Sequence, residues 1–159
     1  MDVYFMRHGQ AASSDEWTGD DRSRPLVAHG ENVVTRVVRR LAEVGVRPDI
    51  VITSPYLRAL QTATIAVQTM GVGSSPRQDA RLVPGFDLAA FREMLEEVSG
   101  ARSLMLVGHE SDFSVVIGQV IGGGRVVMKK AGVALVEIPD PSKPSGRLVW
   151  LLAPALLPG

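Results

Sequence analysis

Short apolar runs alternate along the chain with longer stretches in which apolar residues return at helical spacing. Val3 to Met6, Ile50 to Thr53, Leu104 to Gly108, Val133 to Ile138 and Leu148 to Leu152 have strand length, and the first three are read as the buried parallel centre of a sheet. Between them, Glu31 to Val44 places Val33, Val34, Val37, Val38, Leu41 and Val44 on one stripe with arginines opposite, which predicts a core-facing helix. A second helix is expected from Pro55 to about Met70, with Ser54 as N-cap and Pro55 at its first position. A third is expected over Leu88 to Val98, capped by Asp87. A fourth should run from about Ser111 to Ile121 and stop at Gly122-Gly123-Gly124. This alternation predicts an α/β three-layer sandwich, a mostly parallel central sheet with helices on both faces. Ser13 to Arg24, Gly71 to Pro76 and Pro139 to Gly146 read as loops, and Pro154 to Gly159 as an apolar tail lying on the body.

With 159 residues, the span 1–159 suits a single domain able to bury about two thirds of its unfolded surface. There is no cysteine, which removes thiolate metal sites and thiol nucleophiles and fits a reducing, cytoplasmic setting. Lys+Arg and Asp+Glu balance at 17 each, so no overall field draws nucleic acid or an anionic membrane, and any anion site must be local. No apolar stretch approaches the roughly 20 residues that span a bilayer, and the start lacks the pattern of a secretory leader.

The candidate chemistry collects where strands end. The first strand stops at Arg7-His8-Gly9, which offers an anion clamp, a nucleophile and a glycine that lets backbone approach a ligand. The second is followed by Thr53-Ser54-Pro55-Tyr56-Leu57-Arg58-Ala59-Leu60-Gln61-Thr62, which sets Arg58 in the first turn of a helix. A cation is ill suited to that end of the helix dipole, so Arg58 needs a negative partner there. The third ends in Gly108-His109-Glu110. Ligands of parallel sheets gather outside the carboxyl ends of adjacent strands, so His109 is expected to face the same crevice as Arg7 and His8.

Together, Arg7-His8-Gly9, Ser54 to Thr62 and Gly108-His109-Glu110 resemble the histidine phosphatase superfamily, the phosphoglycerate mutase-like fold. Within it the chain looks most like the small bacterial phosphohistidine phosphatases. That narrower likeness rests on the short length, Met6-Arg7-His8-Gly9, Asp21-Arg22-Ser23-Arg24-Pro25-Leu26 and Ala131-Gly132-Val133-Ala134.

The resemblance implies that His8 is the nucleophile, neutral on its attacking nitrogen and held at the other by a hydrogen bond, likewise implied, to a nearby backbone carbonyl. It implies that Arg7, Arg58 and His109 grip the nonbridging phosphoryl oxygens, with Gly9 beside them, and that no metal or other cofactor is needed. His8, His29 and His109 lack the paired spacing of zinc ligands, and His29 reads as a surface residue before a helix. Many relatives carry a glutamate as general acid in a segment like Arg81 to Asp87. Here no glutamate stands between Arg77 and Arg92. A phosphoramidate leaves with less help from an acid than an alkyl phosphate does, so the expected substrate shifts toward P–N bonds. Asp21 is the candidate for contacting the leaving group, with pairing to Arg24 as the alternative; Asp87 reads as a helix cap. Lys129-Lys130 is expected to edge the crevice. Glu110 and Asp112 depart from the proline-containing sequence common after the second histidine and are left outside the core assignment.

The leading expectation is a phosphatase acting on phosphohistidine in proteins. A small phosphorylated ester as substrate is the near rival, and a non-catalytic phospho-ligand binding module is the alternative from another class. Oligomeric state stays open.

Overall fold

The computed structural model describes residues 1–158. Six strands form one sheet in the order β3-β2-β4-β1-β5-β6: β1 (Asp2–Arg7), β2 (Ile50–Thr53), β3 (Arg77–Gln78), β4 (Ser103–Gly108), β5 (Val133–Glu137) and β6 (Arg147–Leu152). The pairs β3–β2, β2–β4 and β4–β1 are parallel, and β5 and β6 add antiparallel to the β1 side.

Successive residues of a strand point to opposite faces, and the central strands are buried on both. Tyr4, Met6, Met105 and Val107 pack against Val34, Val37 and Leu41 of α1 (Ala28–Glu43) and Ala59, Ala63 and Val67 of α2 (Leu57–Met70). Val3, Phe5, Leu104 and Leu106 pack on the other face against Phe91, Met94 and Leu95 of α3 (Leu88–Glu97) and Phe113, Val116 and Ile117 of α4 (Asp112–Val120). The expected three-layer sandwich, mostly parallel at its centre, is therefore what the chain forms.

The differences from expectation are local. The first helix opens at Ala28, after Val27, which provides no side-chain cap, and His29 lies exposed in its first turn rather than before it. The second opens at Leu57, not Pro55, with Tyr56 in the cap position. Ser54 is not an N-cap; its hydroxyl is engaged across the sheet. The two-residue strand β3 was not expected, because Arg77 and Gln78 are exposed and give no apolar signal. Asp87 caps α3 as expected, its Oδ1 accepting from Ala90 N at 2.9 Å. The tail lies only partly on the body: Pro154 is buried and Leu157 packs near Trp150, while Leu156 is 75% exposed.

Register levels the strand ends. Arg7 pairs with Gly108 across β1–β4, and Thr53 with Val107 across β2–β4. The residues that follow, His8, Ser54 and His109, consequently emerge side by side on one edge of the sheet.

Candidate active site

His8 sits immediately after β1, its backbone N–H bound to Gly108 O at 3.0 Å and its carbonyl accepting from Ala131 N at 3.1 Å. Its ring is buried. Nδ1 lies 2.7 Å from the Gly9 carbonyl, an acceptor only, while Nε2 accepts from Arg58 Nε at 3.3 Å, a donor only. The two partners assign the tautomer: the proton belongs on Nδ1, and Nε2 keeps its lone pair. Burial, reinforced by the nearby His109, Arg58 and Arg7 and opposed by the Gly9 hydrogen bond, pushes the His8 pKa down to about 3, so the ring is neutral at physiological pH.

Gly9 is where α1 meets this loop. A Cβ on Gly9 would stand 2.6 Å from Val34 Cγ2, and one on Gly30 would collide with the Gln10 carbonyl oxygen, so a side chain must yield at the first and glycine is required for close approach at the second. The Gly9 N–H donates to Thr62 Oγ1 at 3.1 Å, and that hydroxyl donates to the Arg58 carbonyl at 2.7 Å. Gln61 Oε1 accepts from Leu26 N at 2.8 Å. The first turns of α2 thus hold the loop after β1 and the chain entering α1.

Arg58 is almost wholly buried, with Tyr56 beneath its guanidinium at 5.1 Å from the ring centroid. Besides Nε on His8, its Nη1 donates to Asp21 O at 2.8 Å and its Nη2 to Asp21 Oδ2 at 3.0 Å. Asp21 is brought there by a loop whose ends are pinned by the Ala11–Leu26 bridge and by Arg24 Nη1 on the Ala12 carbonyl at 2.7 Å. Its other oxygen, Oδ1, accepts from Arg24 Nε at 2.9 Å, the pairing expected as the alternative for Asp21. Partial burial raises the Asp21 pKa, but hydrogen bonds from Arg24 and Arg58 outweigh it and leave the carboxyl below its ordinary range.

His109 closes the other side, its ring centroid 5.3 Å from that of His8 and 5.1 Å from Tyr56. Its Nε2 meets Ser54 Oγ at 2.8 Å, and the same oxygen accepts from Tyr56 N at 3.3 Å. Burial first, then Arg58, pushes the His109 pKa down to about 4. Arg7 hydrogen-bonds through Nη1 to the Met128 carbonyl at 2.8 Å, which sets the exposed Lys129 and Lys130 beside it.

Among the described residues three buried side-chain polar atoms have no partner, and two of them, Arg7 Nε and His109 Nδ1, belong to this cluster. Orphaned buried N–H groups are rare in folded proteins and call for a ligand or a cost. The structure brings His8, Gly9, Arg58, His109 and Asp21 to one place with Arg7 adjoining. No group of three or more His, Cys, Asp or Glu side chains placed to hold a metal occurs among the described residues, and no helix is long and apolar enough to cross a membrane.

Sequence reasoning missed three participants. Ser54 reads locally as a cap, and Thr62 and Tyr56 stand in the Ser54 to Thr62 segment with no signal of a role of their own. Their hydroxyl and aromatic types were visible, but the partners that give them a function lie elsewhere in the chain.

Comparison with known proteins agrees with this geometry. The family description "Histidine phosphatase superfamily (branch 1)" matches residues 3–83. An uncharacterized protein of the cyanobacterium Picosynechococcus is 36% identical over 140 residues, covering 84% of this chain and 82% of that protein. The phosphohistidine phosphatase SixA of Escherichia coli is 25% identical over 160 residues, 99% of this chain and 96% of its own. A solved structure of the protein histidine phosphatase SixA complexed with tungstate superposes with a TM-score of 0.88 at 25% identity, over 98% of both chains.

Proposed function

The chain belongs to branch 1 of the histidine phosphatase superfamily and is a hydrolase of that superfamily, and from this premise we propose that it removes phosphoryl groups from phosphohistidine in proteins through a covalent intermediate on His8. The observation that carries the reading is the tautomer of His8. Nδ1–H is fixed on the Gly9 carbonyl, and Nε2 presents a lone pair at a pocket rich in N–H donors.

In the first step the His8 Nε2 lone pair attacks phosphorus in line, and the bond from phosphorus to the leaving nitrogen breaks. Charge on the nonbridging oxygens is met by Arg58, by Arg7 and by His109. The Ser54 hydroxyl can donate to Nε2 of His109; in that tautomer the ring proton stands on Nδ1, the atom left without a partner, and serves as a donor to the oxyanion. Water then attacks phosphorus, the bond to His8 Nε2 breaks, and the electron pair returns to the imidazole. Tungstate, an oxyanion of phosphate-like shape, is held by the similar SixA structure, which supports a tetrahedral anion as the ligand of this pocket.

A P–N substrate is favoured because the segment 77–87 offers no free carboxyl group. Asp79 is engaged by Arg81 at 2.7 Å, and Asp87 caps α3. The SixA relative is named for the same substrate class.

Brief mixing with acetyl phosphate should leave phosphorus on His8, and hydrolysis of a phosphorylated histidine protein should outrun that of sugar phosphates and of an aryl phosphate. Faster turnover of an alkyl phosphate would make the protein an ester phosphatase. Tight phosphate binding with no label on His8 from any donor would make it a binding module.

A further inference from the structure

The proposed reaction leaves a nitrogen that needs a proton, and the carboxyl groups on the loop over Arg58 and at the starts of α3 and α4 differ in their ability to supply one. Asp21 is held ionised by Arg24 and Arg58. Asp112 is occupied by the Gly85 N–H, which it accepts at 2.8 Å through Oδ2, and Asp87 by its cap. Glu110 is different. It directly follows His109 beyond the end of β4, is half-buried, and is hydrogen-bonded among the described residues by Ser114 alone, whose hydroxyl donates to Oε1 at 2.7 Å. The charged groups that act on it are Arg7 at the end of β1 and Asp112 at the start of α4, and burial raises its pKa above the ordinary glutamate value despite Arg7 and Ser114.

Resting on the function proposed above, we infer that Glu110 is the proton donor to the leaving group, replacing the glutamate that the segment 77–87 lacks. As the bond from phosphorus to the leaving imidazole breaks, its electron pair takes the Glu110 proton, and the histidine departs neutral instead of as an imidazolate. The carboxylate left on Glu110 regains its proton from solvent, and water attacks phospho-His8 without its help, the proton of that water passing to the bulk. Inorganic phosphate is released and both His8 and Glu110 return to their starting forms. Ser114 orients the carboxyl by holding Oε1, which leaves Oε2 to carry the proton. Asp112, by holding Gly85, ties the start of α4 to the loop ahead of α3.

The test is the dependence of Glu110→Gln on the leaving group. Glutamine retains an oxygen for Ser114 and so keeps the fold, which circular dichroism and a thermal melt would verify. General acid catalysis contributes about a hundredfold or more, so kcat on a phosphohistidine protein should fall about a hundredfold. On p-nitrophenyl phosphate, whose phenolate leaves unaided, the fall should be about tenfold or less. Labelling of His8 by acetyl phosphate should persist, since acetate needs no proton to leave. Glu110→Asp should recover part of the lost rate, and the descending basic limb of kcat against pH should flatten in Glu110→Gln.

Equal losses on all substrates, or a rise in KM with kcat retained, would overturn the assignment and leave Glu110 a positioning residue for Arg7. Failure of the wild-type protein to label His8 would instead defeat the phosphatase reading itself, so the two outcomes separate.

Discussion

The Asp21 carboxylate occupies the fork of Arg58: Oδ2 takes Nη2 at 3.0 Å while the Asp21 carbonyl takes Nη1 at 2.8 Å. A guanidinium proposed to bind a phosphoryl group is thus already neutralised by an anion from a surface loop. The incoming phosphate must share Arg58 with that carboxylate, whose side chain remains 53% exposed.

Asp21→Asn removes one negative charge from the edge of the anion site while leaving a side chain of the same shape. Two charges about 5 Å apart near water interact by about 1 kcal/mol, so inorganic phosphate should inhibit the variant several-fold more tightly. Inhibition constants measured with the aryl phosphate check this. Weaker inhibition would mean that Asp21 orders Arg58 more than it competes for it.

Thr62→Val removes a hydroxyl that serves two backbone groups at once, the Gly9 N–H and the Arg58 carbonyl. Leaving a buried donor unpaired costs about 1–3 kcal/mol, visible as a lower denaturant midpoint. Since the Gly9 carbonyl fixes the tautomer of His8, kcat should fall as well. A stability loss with unchanged kcat would show that His8 is oriented without this anchor.

The two glycines at the α1 contact should respond differently. The nearest obstacle to a Cβ on Gly9 is the Val34 side chain, whereas on Gly30 it is the Gln10 carbonyl. Overpacking costs about 1–3 kcal/mol where neighbours adjust. Gly9→Ala should therefore be rescued in stability by Val34→Ala, and Gly30→Ala should not be. Thermal melts of the two double variants decide it.

Acid should destabilise the protein through its two buried imidazoles. Their folded pKa values of about 3 and about 4 lie below the unfolded value, so neither affects stability above about pH 6.5, where both states are neutral. Below that the unfolded chain takes up protons that the folded one refuses, and stability falls until the pH reaches the folded values. The slope is up to about 1.4 kcal/mol per pH unit for each group. Chemical denaturation between pH 7 and pH 4 should show His109→Gln with a shallower decline than wild type; an unchanged slope would mean His109 is protonated in the fold.

What could be read from the chain follows the range of the interactions. Asp87 was legible as a cap because its partner is three residues away, and the stripe of Val34, Val37 and Leu41 because a helix repeats locally. The assembly of His8, Arg58 and His109 was legible because each stands at a strand end and parallel strands present the same end to one side. Ser54 was misread because the rule for caps is local while its partner, His109, comes from another strand. Strand β3 was missed for the opposite reason: two exposed polar residues pair with β2 through backbone alone. The need of Arg58 for a negative partner was legible at the helix start, but that Asp21 supplies it was not, since the two stand 37 positions apart in sequence and are brought together by a loop pinned at Ala11 and Leu26.

The order of strands also sets when the pocket can exist during synthesis. β4 lies between β2 and β1 and, among the described residues, is the only strand that touches both. A nascent chain that ends before Ser103 already carries His8 and Arg58, yet β2 has only the two residues of β3 beside it and β1 has no strand partner at all. The emergence of residues 103–108 then joins the two halves, levels their ends and delivers His109 in the same stroke. A chain that stops short of that point holds no complete pocket.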